Sequence, residues 1–331
     1  MIVYEDSKRC FVEDIKSNCI ADKITAKIRE RGINAGHERE YISWQNSLQF
    51  MRNIVDDNDI DDEVRIAIEY NIPLTSKRVD FIICGADANN NDNVVVVELK
   101  QWQKAEVVAD DMHYCVKTFV GRNNRIVCHP SYQAYSYACF IRNYSQKVLD
   151  DGINLIPCAY LHNYDPDFKQ TLSNSIYKEW VSEAPFFIRN ETEQFSAFVK
   201  KYVTRRSSNG DLLYKIDHGR LKPTKTLQDS LASMVKGNKE FMLLDEQAVC
   251  YDMCLKTMAK CKEDGYRILA TGEMGIGNTT TSSAVAAALL GCESALVVGR
   301  GAGLSDRGLL RKREVVDLAI EKYDLYHQDA F

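Results

Sequence analysis

The chain has 331 residues, 45% of them hydrophobic and 27% charged, with a net charge of −5. That length allows two domains with cores of their own, and the acidic balance, with a pI near 5.8, excludes a basic footprint spread over the whole surface. Eleven cysteines without a CxxC pair read as reduced thiols; the absence of a charged-then-apolar leader and of any membrane-length apolar run points to a soluble, cytoplasmic protein.

Residues 1 to 70 read mostly as helix. Within them Glu38 to Leu48 has helical spacing, with Tyr41, Trp44 and Leu48 on one stripe and Glu40 beside it. Glu69-Tyr70-Asn71-Ile72-Pro73 reads as a strand or strand end carrying a further acid. Two strand patterns follow, Lys77 to Gly85 and Val94 to Lys100, joined by a turn from Ala86 to Asn93 that is rich in Asn, Asp and Ala. On the second of these, Glu98 and Lys100 are two residues apart and share a face, while Leu99 takes the other. With Asp80 opposite, two carboxylates and an ammonium converge. Hard carboxylate oxygens suit Mg²⁺ or Mn²⁺, which lowers the pKa of a bound water and stabilises charge on a phosphate; Lys100 would orient or deprotonate that water. The same residues also read as a surface hairpin with solvated charges.

Residues 106 to 150 read as a strand and then a helix that starts after Pro130 in His129-Pro130-Ser131-Tyr132-Gln133-Ala134-Tyr135-Ser136-Tyr137. Gln133 and Tyr137 sit one turn apart on it. Trp102, beside the lysine, reads as packing. Leu155 to Leu161 and Pro185 to Ile188 read as strands, Glu193 to Val203 as a helix, and the polar stretch Ser207 to Lys225 as a linker. Lys200-Lys201, Arg205-Arg206 and Arg220 to Lys225 are the places where nucleic acid could be met locally. Leu227 to Met234 and Asp245 to Lys262 are helical again, and Cys250, Cys254 and Cys261 in the latter read as small buried residues.

Beyond them Ile268 to Thr271 reads as a short strand, Gly272 to Thr281 as a glycine loop and Ser282 to Leu290 as a helix of small residues. A glycine loop ending at a helix N-terminus is an anion site, because free backbone N–H groups and the helix dipole face it. Asn278 stands where a Walker A loop needs lysine, so ATP hydrolysis is unsupported.

Two resemblances are carried by these strings. The order of acid-bearing helix, Asp80 strand, Glu98-Leu99-Lys100 strand and Gln133…Tyr137 helix resembles the PD-(D/E)xK nuclease superfamily. RVDFIICG, VVVVELKQW and HPSYQAY together resemble the N-terminal region of bacterial Schlafen-type DNA/RNA helicase proteins, over about residues 1 to 247. That resemblance implies Asp80 and Glu98 as metal ligands, Lys100 as catalytic lysine, Glu40 or Glu69 as an accessory acid, and Gln133 and Tyr137 as residues that position DNA or RNA. From about residue 250 to 331, GEMGIGNTTTSSAVAAALLG, VGRGAGL and LLRKREVVDLAI are similar to nicotinate-nucleotide–dimethylbenzimidazole phosphoribosyltransferase, a family of cobalamin biosynthesis. It implies that Glu273, Gly275, Gly277, Asn278, Thr279, Thr280, Arg300 and Gly301 embrace a phosphoribosyl phosphate, with no cofactor. In that family a glutamate general base lies in a later glycine-rich segment, so this stretch is expected to bind the phosphate rather than complete the transfer; losing a general base costs on the order of a hundredfold.

The expected architecture is therefore α/β: a PD-(D/E)xK-like mixed sheet flanked by helices over 1–205, a linker and helix over 206–247, and a partial Rossmann-like phosphoribosyltransferase segment over 248–331. Functionally the chain reads as a fusion of a nuclease-like domain with a segment able to bind nicotinate mononucleotide. It reads alternatively as a phosphoribosyltransferase acting on nicotinate mononucleotide and dimethylbenzimidazole, or as a catalytically inactive binding protein; no membrane partner is expected.

Overall fold

The computed structural model describes residues 2–30, 38–73, 75, 77–108, 112–121, 123–219, 243, 245–266, 278–300 and 305–327, with backbone alone at 38, 39, 144 and 278. These residues form a mixed α/β structure, and the chain divides into two units, Met1–Lys260 and Cys261–Phe331.

The first unit opens with β1 (Ile2–Ser7), whose last residue caps α1 (Lys8–Lys16) by accepting the Cys10 N–H on its hydroxyl. Helices α2 (Ile20–Glu30) and α3 (Glu38–Val55) follow, then β2 (Arg65–Asn71), β3 (Arg78–Ala86) and β4 (Asp92–Lys100). Strands β1 to β4 pair antiparallel in sequence order. Val94, Val95, Val96 and Val97 are buried on both faces of β4, which suits a central strand of β-branched residues.

After β4 come three short strands, β5 (Ala105–Val107), β6 (Cys115–Val120) and β7 (Asn123–Cys128), that form a second sheet. The sequence indicated one strand here, because Asn123-Asn124-Arg125 gives β7 no apolar alternation to read. Helices α4 (Pro130–Tyr144) and α5 (Gln146–Asp150) lead to β8 (Asn154–Leu161), which pairs parallel with β4. Two short helices, α6 (Lys169–Leu172) and α7 (Lys178–Glu183), precede β9 (Phe186–Ile188), parallel to β8, and α8 (Thr192–Tyr202). The main sheet thus has six strands in the order β1-β2-β3-β4-β8-β9. The stretch expected as a linker carries α9 (Leu212–His218), which buries Leu212, Leu213 and Ile216.

Each face of the sheet carries its own core, as a strand period of two requires. Ile68, Phe81, Ile83, Val95 and Val97 pack with Phe11, Ile24, Leu48 and Phe195 from α1, α2, α3 and α8. Ile82, Cys84, Val94 and Val96 pack with Ala138 and Ile141 of α4 and with the apolar residues of α9. Each buried Val, Ile, Leu or Phe side chain among these contributes about 1.5–3 kcal/mol by leaving water.

Helix α10 (Asp245–Glu263) buries only Ala248 and Asp252. Its apolar residues fall on no single face, so Cys250 and Cys254 are exposed and Cys261 half-buried; the expectation of three buried thiols is corrected accordingly. The described part of the second unit is helical: α11 (Asn278–Leu290), α12 (Ser294–Val297) and α13 (Asp306–Lys322), around Ala284, Ala287, Val298, Val316 and Ile320. The expected elements at Leu227–Met234 and Ile268–Thr271 lie outside the described residues. Among the described residues no helix is long and apolar enough to cross a membrane.

Candidate active site

Strand register brings the carboxylates of β2, β3 and β4 to one level. Asp80 lies one position beyond the Phe81–Val97 pair and so faces Glu98, while Glu69 lies between the paired positions Ile68–Phe81 and Tyr70–Val79 and so borders Asp80. Lys100, two residues after Glu98, donates to Glu98 Oε1 at 2.6 Å, and the Leu99 amide donates to Asp80 Oδ2 at 2.8 Å. Glu98 is 3% exposed, and its Oε2 is buried without a hydrogen-bond partner.

Such crowding changes proton affinities. Burial and then the Asp80 charge push the Glu98 carboxyl well above the usual carboxylate range, against the pull of Lys100. Asp80 is raised too, by burial, although Lys100 and the Leu99 amide oppose this. Burial works against the Lys100 ammonium, but Glu98 and Asp80 outweigh it and hold the pKa at about 12, so this lysine keeps its proton at neutral pH.

Glu69 is held with a φ of 56°, a conformation uncommon for any residue but glycine. Its Oε1 accepts the Trp44 indole N–H at 2.7 Å, and its Oε2 faces Arg78 Nη1 at 3.0 Å. Burial, then Asp80, raises its pKa to about 7 against Arg78 and Trp44. Arg78 also reaches Glu40 Oε1 at 2.9 Å, so one guanidinium joins the two acids proposed as accessories. A cavity of about 200 Å³ opens here between α3 and the strands, lined by Glu40, Ser43, Trp44, Glu69, Arg78 and Asp80 among others. Gln101 closes the α3 side by donating to the hydroxyls of Ser43 and Ser47 at 2.8 and 2.9 Å.

Helix α4 supplies the remaining expected pair. Pro130 fits its first turn, where no N–H partner is needed, and His129 caps it by accepting the Ser131 N–H on Nδ1 while Nε2 meets the Leu172 carbonyl at 3.1 Å. Burial lowers the His129 pKa to about 3, so this imidazole is a neutral structural cap. Gln133 Nε2 donates to the Tyr137 oxygen at 2.9 Å, and the Tyr137 hydroxyl donates to Asp245 Oδ2 at 2.7 Å. Lys77 Nζ meets the same Asp245 oxygen at 2.9 Å and also pairs with Glu246.

Lys77, Arg78 and Asp245 are absent from the sequence-based site. Arg78 lies two residues before Asp80 on the same strand, but its partners Glu40 and Glu69 come from other elements, and Asp245 is distant in sequence, so neither role left a local signal. Trp102 packs half-buried against the neighbouring core, and Lys100 Nζ stands 5.6 Å from its ring centre. Of the surface basic runs, Lys200 is committed to Asp57 and Asp59.

Asp80 and Glu98 are two adjacent carboxylates, one with a buried oxygen that has no hydrogen-bond partner, and such hard oxygens are the donor type that a divalent ion like Mg²⁺ takes. Among the described residues no group of three or more His, Cys, Asp or Glu is arranged to hold a metal.

In the second unit, Glu273, Gly275, Gly277 and Gly301 lie outside the described residues, as does the side chain of Asn278. Asn278, Thr279 and Thr280 begin α11, and Lys312 of α13, itself 7% exposed, donates to Thr279 Oγ1 and to the Gly299 carbonyl at 2.9 Å each. Arg300 pairs with Asp306.

Comparison with known proteins bears on the C-terminal part of the chain, including the second unit. Residues 224–331 match a phosphoribosyltransferase family model. A nicotinate-nucleotide–dimethylbenzimidazole phosphoribosyltransferase of Clostridium perfringens is 32% identical over 163 residues, covering 47% of this chain and 45% of that protein. The enzymes of the same name from Roseiflexus castenholzii and Roseiflexus sp. are 55% identical over 65 residues and 61% over 56, which is 20% and 17% of this chain and 18% and 16% of theirs. The chain thus spans less than half the length of these curated relatives. No solved structure matches.

Proposed function

We propose that the first unit is a metal-dependent phosphodiesterase acting on DNA or RNA. The observation that carries this reading is the placement of Asp80 opposite Glu98 with Lys100 against Glu98. In it Asp80 and Glu98 hold Mg²⁺ or Mn²⁺, which when bound activates a water and offsets charge on the phosphate. Lys100 keeps its proton and donates a charge-assisted hydrogen bond to the phosphate oxygens that gain charge as water adds to phosphorus. Glu69 and Glu40 hold Arg78 at the rim of the cavity beside Asp80. A labelled oligonucleotide incubated with the purified chain and Mg²⁺ or Mn²⁺ tests the reading: Lys100→Ala should lower cleavage about 10²–10³-fold. Equal cleavage by wild type and variant, or undiminished cleavage in EDTA, would sink it.

A second reading concerns residues 224–331, and the family match supports it. We propose that this segment binds nicotinate mononucleotide through the phosphate, at the glycine-rich sequence that includes Glu273, Gly275 and Gly277 and at the start of α11, with Thr279 oriented by Lys312. Titration calorimetry should give a measurable affinity for wild type, lowered about tenfold in Asn278→Ala. No heat with wild type would end this reading. Transfer of phosphoribose to dimethylbenzimidazole, the reaction in the relatives' name, would need to be looked for separately by product analysis.

A further inference from the structure

We infer that Lys77, Gln133 and Tyr137 form a subsite for one oxygen of a nucleic-acid phosphate, and that the Asp245 carboxylate fills this subsite in the free chain. The inference rests on the proposed nuclease reading. It adds to it a binding residue, Lys77, and an occupant that a substrate must displace.

One oxygen of Asp245 takes both donors, the Tyr137 hydroxyl at 2.7 Å and Lys77 Nζ at 2.9 Å, while Gln133 fixes the Tyr137 oxygen from behind at 2.9 Å. A phosphate oxygen accepts from the same donors with the same geometry, since both are anionic oxygens. The carboxylate is an imperfect guest: its other oxygen, Oδ1, is buried without a hydrogen-bond partner among the described residues, which is costly for a charged group. The subsite lies on the face of the sheet that carries the reactive pair: Tyr137 packs in one core with Ile82 and Val96, which share that face with Asp80 and Glu98 by strand alternation. Glu246, largely in solvent, engages Lys77 beside it. The first turn of α10 therefore lays acidic side chains where a strand entering toward Asp80 and Glu98 would bring its phosphates.

The test is a double-mutant cycle on the full chain, reading the binding of a fluorescein-labelled single-stranded DNA oligonucleotide by anisotropy in EDTA, where cleavage plays no part. Asp245→Ala should tighten binding about tenfold by freeing the subsite. Lys77→Ala should change binding by less than about twofold in the wild-type background, yet remove about tenfold in the Asp245→Ala background, because only there is the ammonium available to phosphate. Circular dichroism checks the fold of each variant. If Asp245→Ala does not fold, Asp245→Asn keeps an acceptor for Tyr137 while removing the charge, and should still tighten binding. Failure of both to tighten binding, equal effects of Lys77→Ala in the two backgrounds, or no binding by any folded variant would overturn the inference. The nuclease reading fails by a different measurement, metal-dependent cleavage unaffected by Lys100→Ala, so the two outcomes are separable.

Discussion

The sheet-built unit, which ends at Lys260, and the helices from Asn278 to His327 hold their charged groups in contrasting ways. In the first, strand register fixes Asp80, Glu98 and Lys100 against one another, and cores on both faces of the sheet keep the strands in place. In the second, Lys312 is held by one hydroxyl and one carbonyl, and among the described residues the buried core is Ala284, Ala287, Val298, Val316 and Ile320 with Val297, Leu309 and Leu325 partly buried against it, while Leu289, Leu290, Leu296, Leu310 and Leu318 face outward. The family model matches residues 224–331, which take in the second region and the end of the first, while the more complete assembly of charged groups lies in the first. Similarity and physical completeness are thus separate kinds of information in this chain, and each needs its own experiment.

The contrast is broken most directly in the cores. Phe81 is fully buried and meets Phe11 edge-on at 5.3 Å, so Phe81→Ala should cost about 3–5 kcal/mol. Val316→Ala removes two methyl groups from the small helical core and should cost roughly 1–2 kcal/mol. Hydrogen exchange read peptide by peptide reports each region by itself. If Val316→Ala opens its region as much as Phe81→Ala opens the sheet, the two cores do not differ as described.

The next effect sharpens the account of the charged row. Glu69 titrates in the folded chain at about 7, against an ordinary value of 4.5, so the folded state holds this proton more tightly than the unfolded one. The resulting stability is complete below the unfolded value and is lost as pH rises through about 7, by roughly 3 kcal/mol in all. Glu69→Gln keeps an oxygen for the Trp44 N–H and removes the titration. Between pH 4.5 and pH 8 wild type should therefore lose about that much more stability than the variant, measured by urea denaturation in EDTA. A difference that does not change with pH would mean that the ionised carboxylate is already accommodated by Arg78.

Much of this arrangement is legible in the sequence, and the reasons are physical. Glu98 and Lys100 share a face because side chains alternate along any strand, and Asp80 meets Glu98 because the polar turn from Asp87 to Asn91 sets the hairpin register. The pairing of Gln133 with Tyr137 follows in the same way from helical spacing. Illegible were the features that depend on contacts distant in sequence. Arg78 looks like any charged residue until Glu40 and Glu69 are seen on either side of it, and the carboxylate that takes the Tyr137 hydroxyl comes from a helix beginning at Asp245. The reversed backbone at Glu69 left no trace, since nothing in its residue type calls for a positive φ. Nor does composition reveal that α9 packs on the sheet, because its apolar residues sit inside a polar stretch.

The smallest expected effect concerns the thiols. Cys84, Cys128 and Cys158 lie within the sheet region, and burial pushes each of their thiols up, which removes the nucleophilic thiolate. Cys250 and Cys254 stand exposed one turn apart on α10, and Cys254 is raised chiefly by its hydrogen bond to Cys250. Iodoacetamide at pH 8 should therefore modify Cys250 and Cys254 in the folded chain and reach Cys84, Cys128 and Cys158 only after denaturation, as read by peptide mass spectrometry. Because the neighbouring thiol is what holds Cys254 up, Cys250→Ser should quicken modification at Cys254 by roughly threefold, while the circular dichroism spectrum stays the same. An unchanged rate would mean that the pair does not interact in solution. Modification of Cys158 in the folded chain would mean that the sheet opens far more readily than its two cores imply.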